Sequence, residues 1–179
     1  MLNLIFSLVA ITIFVVYNIV ALCVLGMPRS LSETFYLYNA KKPKLGYIFT
    51  VMMFVVGFLL MPAWLNITEV VSEWSHHLTV LPFLGAASIL FVGAAPAYRD
   101  CKLENKVHMV AAALAAVFSL LWCAVVCYKI AWIIPISLVL CWGIAFATKT
   151  NKTGRDWWWE MVAFLATFAT IITECVMLL

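Results

Sequence analysis

Apolar residues in this chain come in long unbroken runs, not at alternate positions or at every third and fourth. Six runs stand out, at 2–26, 46–65, 78–97, 107–128, 130–147 and 157–179. A helix rises ~1.5 Å per residue, so ~20 apolar residues cross a ~30 Å hydrocarbon core. The pattern predicts an all-α integral membrane protein, a single domain built as a compact bundle of six transmembrane helices. A transmembrane β-barrel would alternate polar and apolar positions, and these runs do not. The stretch 107–147 carries one charge, Lys129, near its middle. As a single helix it would be ~60 Å long, twice the core. A reversal is therefore expected across 127–132, with Pro135 near the start of the next helix. The first run reads as a retained helix, because no Lys or Arg precedes it and its apolar stretch exceeds that of a signal peptide.

Composition sharpens the class. Hydrophobic residues make up 66% of the 179 and charged ones 11%, with a mean hydropathy of +1.09. A soluble domain is ~45–50% apolar and ~25% charged, so a water-soluble globule, a disordered chain and a disulfide-stapled secreted domain are excluded. The 11 Lys and Arg are distributed unevenly. Arg29, Lys41, Lys42 and Lys44 fall in loop 27–45. Arg99, Lys102 and Lys106 fall in loop 98–106, and Lys149, Lys152 and Arg155 in loop 148–156. Lys129 alone falls on the other side. Short loops follow the positive-inside bias, so these three loops are expected to be cytoplasmic and both termini extracytoplasmic. The expected setting is a bacterial cytoplasmic membrane, with the lipid bilayer as principal partner and a homo-oligomer as a further expectation. A basic domain able to hold a phosphate track is missing, so nucleic acid is not an expected partner.

Candidate chemistry falls into three clusters. On the cytoplasmic side, Ser30 or Ser32, Glu33, Tyr36, Arg99, Asp100, Glu104 and His108 belong to neighbouring loops. Ser, Asp and His are the parts of a nucleophilic triad, which makes Ser30, Ser32, Asp100 and His108 the catalytic candidates should the protein be an enzyme. Arg99, Glu33 and Tyr36 are candidate ligand or ion contacts. Ser30 or Ser32 also suits the N-cap of a short interfacial helix. On the outer side, 66–77 reads as a short amphipathic helix placing Glu69, Glu73 and His77 (or His76) on one face, a spacing that can hold a divalent cation; a solvated face is the simpler reading, and no metal site is expected. Within the membrane, the last helix carries Ala163, Thr167, Thr170 and Glu174 at helical spacing. This small, polar stripe should face protein or water, and Glu174 needs a partner, for which Lys129, His76 and His77 are the candidates. Asn18 is a second intramembrane polar group, suited to an interhelical hydrogen bond.

Other features read as architecture. Trp157, Trp158 and Trp159, with Trp142, suit an inner aromatic belt, and Trp64, Trp74 and Trp132 an outer one. Cys123 and Cys127 share a helix face and read as packing. Alanines 111–113, 115 and 116, with Gly85, Ser88 and Gly93, suggest that the third and fourth runs cross closely. The chain has no G-x-S-x-G, no HExxH and no phosphate-binding glycine loop, and no cofactor is expected.

The segments 28–36, 93–98 and 107–112 resemble small six-helix membrane proteins of gut bacteria and their phages. The resemblance implies a fold and no activity. The spread of Ser, Asp and His is also similar to that of ceramidase-like membrane hydrolases, which have seven helices and several His on the late ones; here the last two runs contain none. Three functional classes follow. The first is a protein that binds or conducts a small solute, ion or lipid. The second is a membrane-embedded lipid hydrolase or transferase using the cytoplasmic Ser/Asp/His cluster. The third is a structural or regulatory subunit of a membrane complex. A hydrolase requires His108 within hydrogen-bond reach of Ser30, Ser32 or Asp100 beside a lipid-accessible cleft.

Overall fold

The computed structural model describes residues 1–71 and 75–179, with the side chains of residues 75 and 76 also outside the description. All regular structure among the described residues is helical, with no strand. The helices are α1 (Leu2–Leu25), α2 (Glu33–Lys41), α3 (Tyr47–Val71), α4 (Ser75–Leu78), α5 (Val80–Ala94), α6 (Lys102–Val126), α7 (Ile133–Ala147) and α8 (Arg155–Met177), with a 3-10 turn at Tyr128–Ile130. Runs this apolar become helices because a helix satisfies every backbone N–H and C=O internally. Among the described residues, five segments are long and apolar enough to cross a membrane: α1, α3, α6, the turn plus α7, and α8.

The boundaries depart from the sequence pattern in instructive places. The third run yields only the 15 residues of α5. Ala95 leaves the helix at φ −116°, ψ 58°, as the residue before Pro96 is driven out of the α region. The second run continues past Leu65 to Val71. There the Thr68 hydroxyl donates back to the Trp64 carbonyl at 2.8 Å and is covered by Trp122. The expected separate helix over 66–77 is therefore not formed: 66–71 belong to α3 and 75–78 to α4. Between α6 and α7 the chain breaks at 127–132 as anticipated, with Pro135 in the first turn of α7.

Cross-contacts set the directions. Asn66 near the end of α3 donates to Asn3 at the start of α1 at 3.2 Å. α5 runs antiparallel to α3, since Gly85 abuts Trp64 whereas Gly93 abuts Met53. A Cβ at Gly93 would sit 2.9 Å from the Met53 Cβ, and one at Gly57 2.7 Å from the Leu90 side chain. α5 packs most extensively on α6, the close crossing expected of the third and fourth runs, and its glycines also bring it against α3. α6 and α8 run parallel: His108 and Glu160 both reach the segment at 31–32, and Cys127 meets Glu174 at the far end. Segments 27–45, 95–101 and 148–154 consequently gather at one end of the bundle, the basic end.

Core residues such as Trp64, Trp122, Phe49, Val56, Leu60 and Ile171 are fully buried. Outward faces carry exposed apolar residues, among them Val16, Val51, Phe58, Val110, Val139 and Ile144. Of the expected aromatic belts, Trp159 and Trp132 are exposed, but Trp157, Trp158 and Trp64 are core residues. Trp74 lies outside the described residues. Trp158 is drawn inward because its indole N–H donates to the Thr150 hydroxyl at 2.9 Å.

Candidate functional site

The segment leading into α2 sits as a plug in the basic end. Tyr17 of α1 bonds the Thr34 hydroxyl, which itself donates to the Leu31 carbonyl. The Trp157 N–H of α8 donates to the Arg29 carbonyl at 2.8 Å. The Leu31 N–H donates to the Glu160 carboxylate at 2.5 Å. Ser30 acts as the helix cap, its hydroxyl accepting from the Glu33 N–H at 3.2 Å.

Ser32 and His108 meet. The His108 Nε2 lies 2.8 Å from the Ser32 hydroxyl and its Nδ1 lies 2.9 Å from the Ala95 carbonyl. Both residues are buried. A carbonyl only accepts, so Nδ1 carries the hydrogen; in the neutral ring Nε2 is then the acceptor and the Ser32 O–H the donor. Tyr98 stacks on the imidazole at 4.5 Å between ring centroids, so the ring is held from three sides.

Beside this pair, Arg99 bridges two loops. Its guanidinium meets the Glu33 carboxylate at 2.6 Å, its N–H donates to the Tyr36 hydroxyl at 2.6 Å, and it lies over the Tyr36 and Tyr98 rings. Partial burial pushes the Glu33 carboxyl up, but hydrogen bonds from Arg99 and the Arg29 N–H outweigh it and hold the group below its ordinary range. The Glu33 hydrogen bond holds Arg99 above its own. Tyr36 is raised, mainly by burial. The guanidinium is paired with Glu33 and the backbone N–H with Tyr36, which describes a clasp between loops. Asp100 is exposed and does not join the Ser32–His108 pair.

Immediately inside the plug is an elongated cavity of about 70 Å³ between α3, α5, α6 and α8. A water needs ~10–15 Å³ on this measure, so the space holds several waters or a slender chain. Leu60, Trp64, Ala115, Ala116 and Phe164 are among its walls, and Ser32 and Glu160 close the end at the plug. From Met53 to Trp64 the walls extend eleven residues along α3, or ~16 Å. The Trp64 indole N–H is buried and has no hydrogen-bond partner among the described residues. The small residues Ala112, Ala115 and Ala116 line this space on the same helix that packs closely on α5.

The α8 stripe lines the cavity at Ala163 and Thr167 and continues beyond it. Glu174 is buried and accepts from the Cys127 thiol at 2.8 Å. Its partner is thus neither Lys129, which lies over the Tyr128 ring, nor exposed His77; His76 lies outside the described side chains. Thr167 donates to the Ala163 carbonyl and faces Cys123 at 3.9 Å, and Thr170 is buried nearby. The stripe is a seam between α6 and α8. Asn18 makes no interhelical bond through its amide nitrogen; that group donates back to the Phe14 carbonyl of its own helix, and its oxygen is buried and unpaired. Glu69 and His77 are exposed and Glu73 lies outside the described residues; no group of three metal-ligating side chains occurs among the described residues.

Sequence reasoning missed Glu160 and Trp64. Glu160 follows three tryptophans and was overshadowed by the interfacial reading; its spacing to Ala163, Phe164 and Thr167 along one face was the available signal. The chain matches no family model, no curated protein and no solved structure.

Proposed function

We propose that this is a six-crossing membrane protein that binds a lipid-like amphiphile in the cavity between α3, α5, α6 and α8. One observation carries the reading: an apolar slot inside the bundle that ends on two polar side chains, Ser32 and Glu160. Such a shape suits a ligand with an apolar tail and one polar end. In this reading α5, with α4 before it, makes the sixth crossing. The basic end faces the cytoplasm of a bacterial cell by the positive-inside bias, and both termini face outward. The test is photo-crosslinking with a long-chain alcohol bearing a diazirine in mid-chain. Labelling at Leu60, Ala115 or Phe164, lost in Ala116→Phe, is expected. Labelling confined to outward residues such as Val110 and Ile144 would overturn the reading.

The Ser32–His108 hydrogen bond supports a second reading, an acyl hydrolase or transferase with Ser32 as nucleophile and His108 as base. It ranks lower because the Glu160 carboxylate closes the same end of the cavity, where a tetrahedral oxyanion would form. An alkyl fluorophosphonate decides it. Labelling of Ser32 that disappears in Ser32→Ala and falls ~100-fold in His108→Gln favours the enzyme; an unlabelled Ser32 in folded protein excludes it.

A further inference from the structure

The polar end of the cavity offers hydrogen-bond acceptors. Ser32 commits its hydrogen to His108, because the Ala95 carbonyl dictates the tautomer. The Ser32 oxygen therefore presents lone pairs to the cavity it lines. Glu160 contributes a carboxylate that accepts from the Leu31 N–H. No Lys, Arg or His is among the described residues lining the cavity. The ion pairs among the described residues are Arg99–Glu33 and Arg155–Asp156, and neither involves Glu160. A carboxylate in an apolar slot needs either a proton or a cation.

Phe164, one turn along α8 from Glu160, lines the same cavity.

We infer that the amphiphile bound here is a lipophilic amine in its ammonium form, with Glu160 as counter-ion and the Ser32 oxygen as a second acceptor. A primary ammonium has three donors to distribute. An anionic headgroup would meet like charge, and an alcohol would leave the buried carboxyl to take up a proton. A quaternary ammonium carries the charge but has no N–H for Ser32. This inference rests on the proposed amphiphile binding, and the experiment separates the two.

Four twelve-carbon ligands that differ in headgroup are titrated calorimetrically into the purified full chain in maltoside micelles at pH 7: dodecylamine, dodecanol, dodecanoate and dodecyltrimethylammonium. Ala116→Phe serves as the baseline for partition into micelles. The amine should bind at least ~10-fold more tightly than the alcohol, with the trimethylammonium compound between them and dodecanoate last. Glu160→Gln should bring amine and alcohol within ~2-fold of each other without weakening the alcohol. Equal affinity of amine and alcohol for the wild type would overturn the ammonium assignment while leaving amphiphile binding intact, and so would tightest binding of dodecanoate. A preference unchanged by Glu160→Gln would also overturn it. No binding by any of the four would overturn both. The wild-type ranking decides the matter even if the variant fails to fold.

Discussion

Ser32 and His108 stand 76 residues apart in the chain, and their meeting illustrates what single side chains do here. Removing His108 leaves the buried Ser32 hydroxyl and the Ala95 carbonyl without the partner each has in it, and removing Ser32 leaves the His108 Nε2 unpaired, which costs ~1–3 kcal/mol. His108→Ala should therefore lower the melting temperature clearly, and His108→Gln less, as followed by thermal unfolding in detergent; equal melting of His108→Ala and wild type would contradict the hydrogen-bonded chain. Asn18 is the converse case. Its oxygen is already unpaired and its nitrogen bonds within its own helix, so removing both polar ends together is nearly neutral or stabilising. Asn18→Leu should keep or raise the melting temperature, and a marked drop would show a partner for Asn18 that the structure lacks. Residue types alone could nominate Ser32, His108, Glu33, Arg99 and Tyr36, because the loops that carry them had to share one end. They could not separate Ser30, a cap, from Ser32, or reveal Glu160, because side-chain partners depend on helix rotation, which uniformly apolar runs do not encode.

Among the elements, α6 and α8 share the most informative seam. Cys123 and Cys127 at i, i+4 meet Thr167 and Glu174, so features that looked independent in sequence are two halves of one contact. Cys127→Ala should destabilise by ~1–3 kcal/mol because Glu174 then loses its donor, whereas Glu174→Gln retains an acceptor oxygen and should cost less; the reverse order in thermal unfolding would contradict the seam. The clasp between α2 and loop 95–101 belongs to the same scale. Glu33 is held below its ordinary pKa of 4.5, so its contribution is present above that value and is lost as pH falls through the lowered one. Arg99 is nearly half exposed, which keeps the gain small. Glu33→Gln should therefore flatten the acid side of the stability profile slightly, and an unchanged acid limb would contradict it. Helix existence was legible from the apolar runs, and the α6–α7 break from length and Lys129. The early end of α5 was legible in principle from Ala95–Pro96. The continuation of α3 to Val71 was not, since it depends on Trp122 covering Thr68.

For the whole molecule, orientation and occupancy of the cavity are the two remaining questions. The clustering of basic loops at one end of the bundle follows from helix directions that were set without reference to charge, and the ten-to-one split of Lys and Arg coincides with it. Single cysteines at Lys42, Lys102 and Lys152 in a Cys-free background should resist an impermeant thiol reagent in intact cells; ready labelling would invert the proposed topology. Composition showed that the molecule belongs in a bilayer, but not that its alanine-rich helix would line a cavity, because a void is a property of four helices together. The most direct test of the central claim is native mass spectrometry of the chain ejected from lipid nanodiscs. The account predicts a population carrying one amphiphile per chain for the wild type and a bare chain for Ala116→Phe. A bare wild type, or equal occupancy in both, would contradict it.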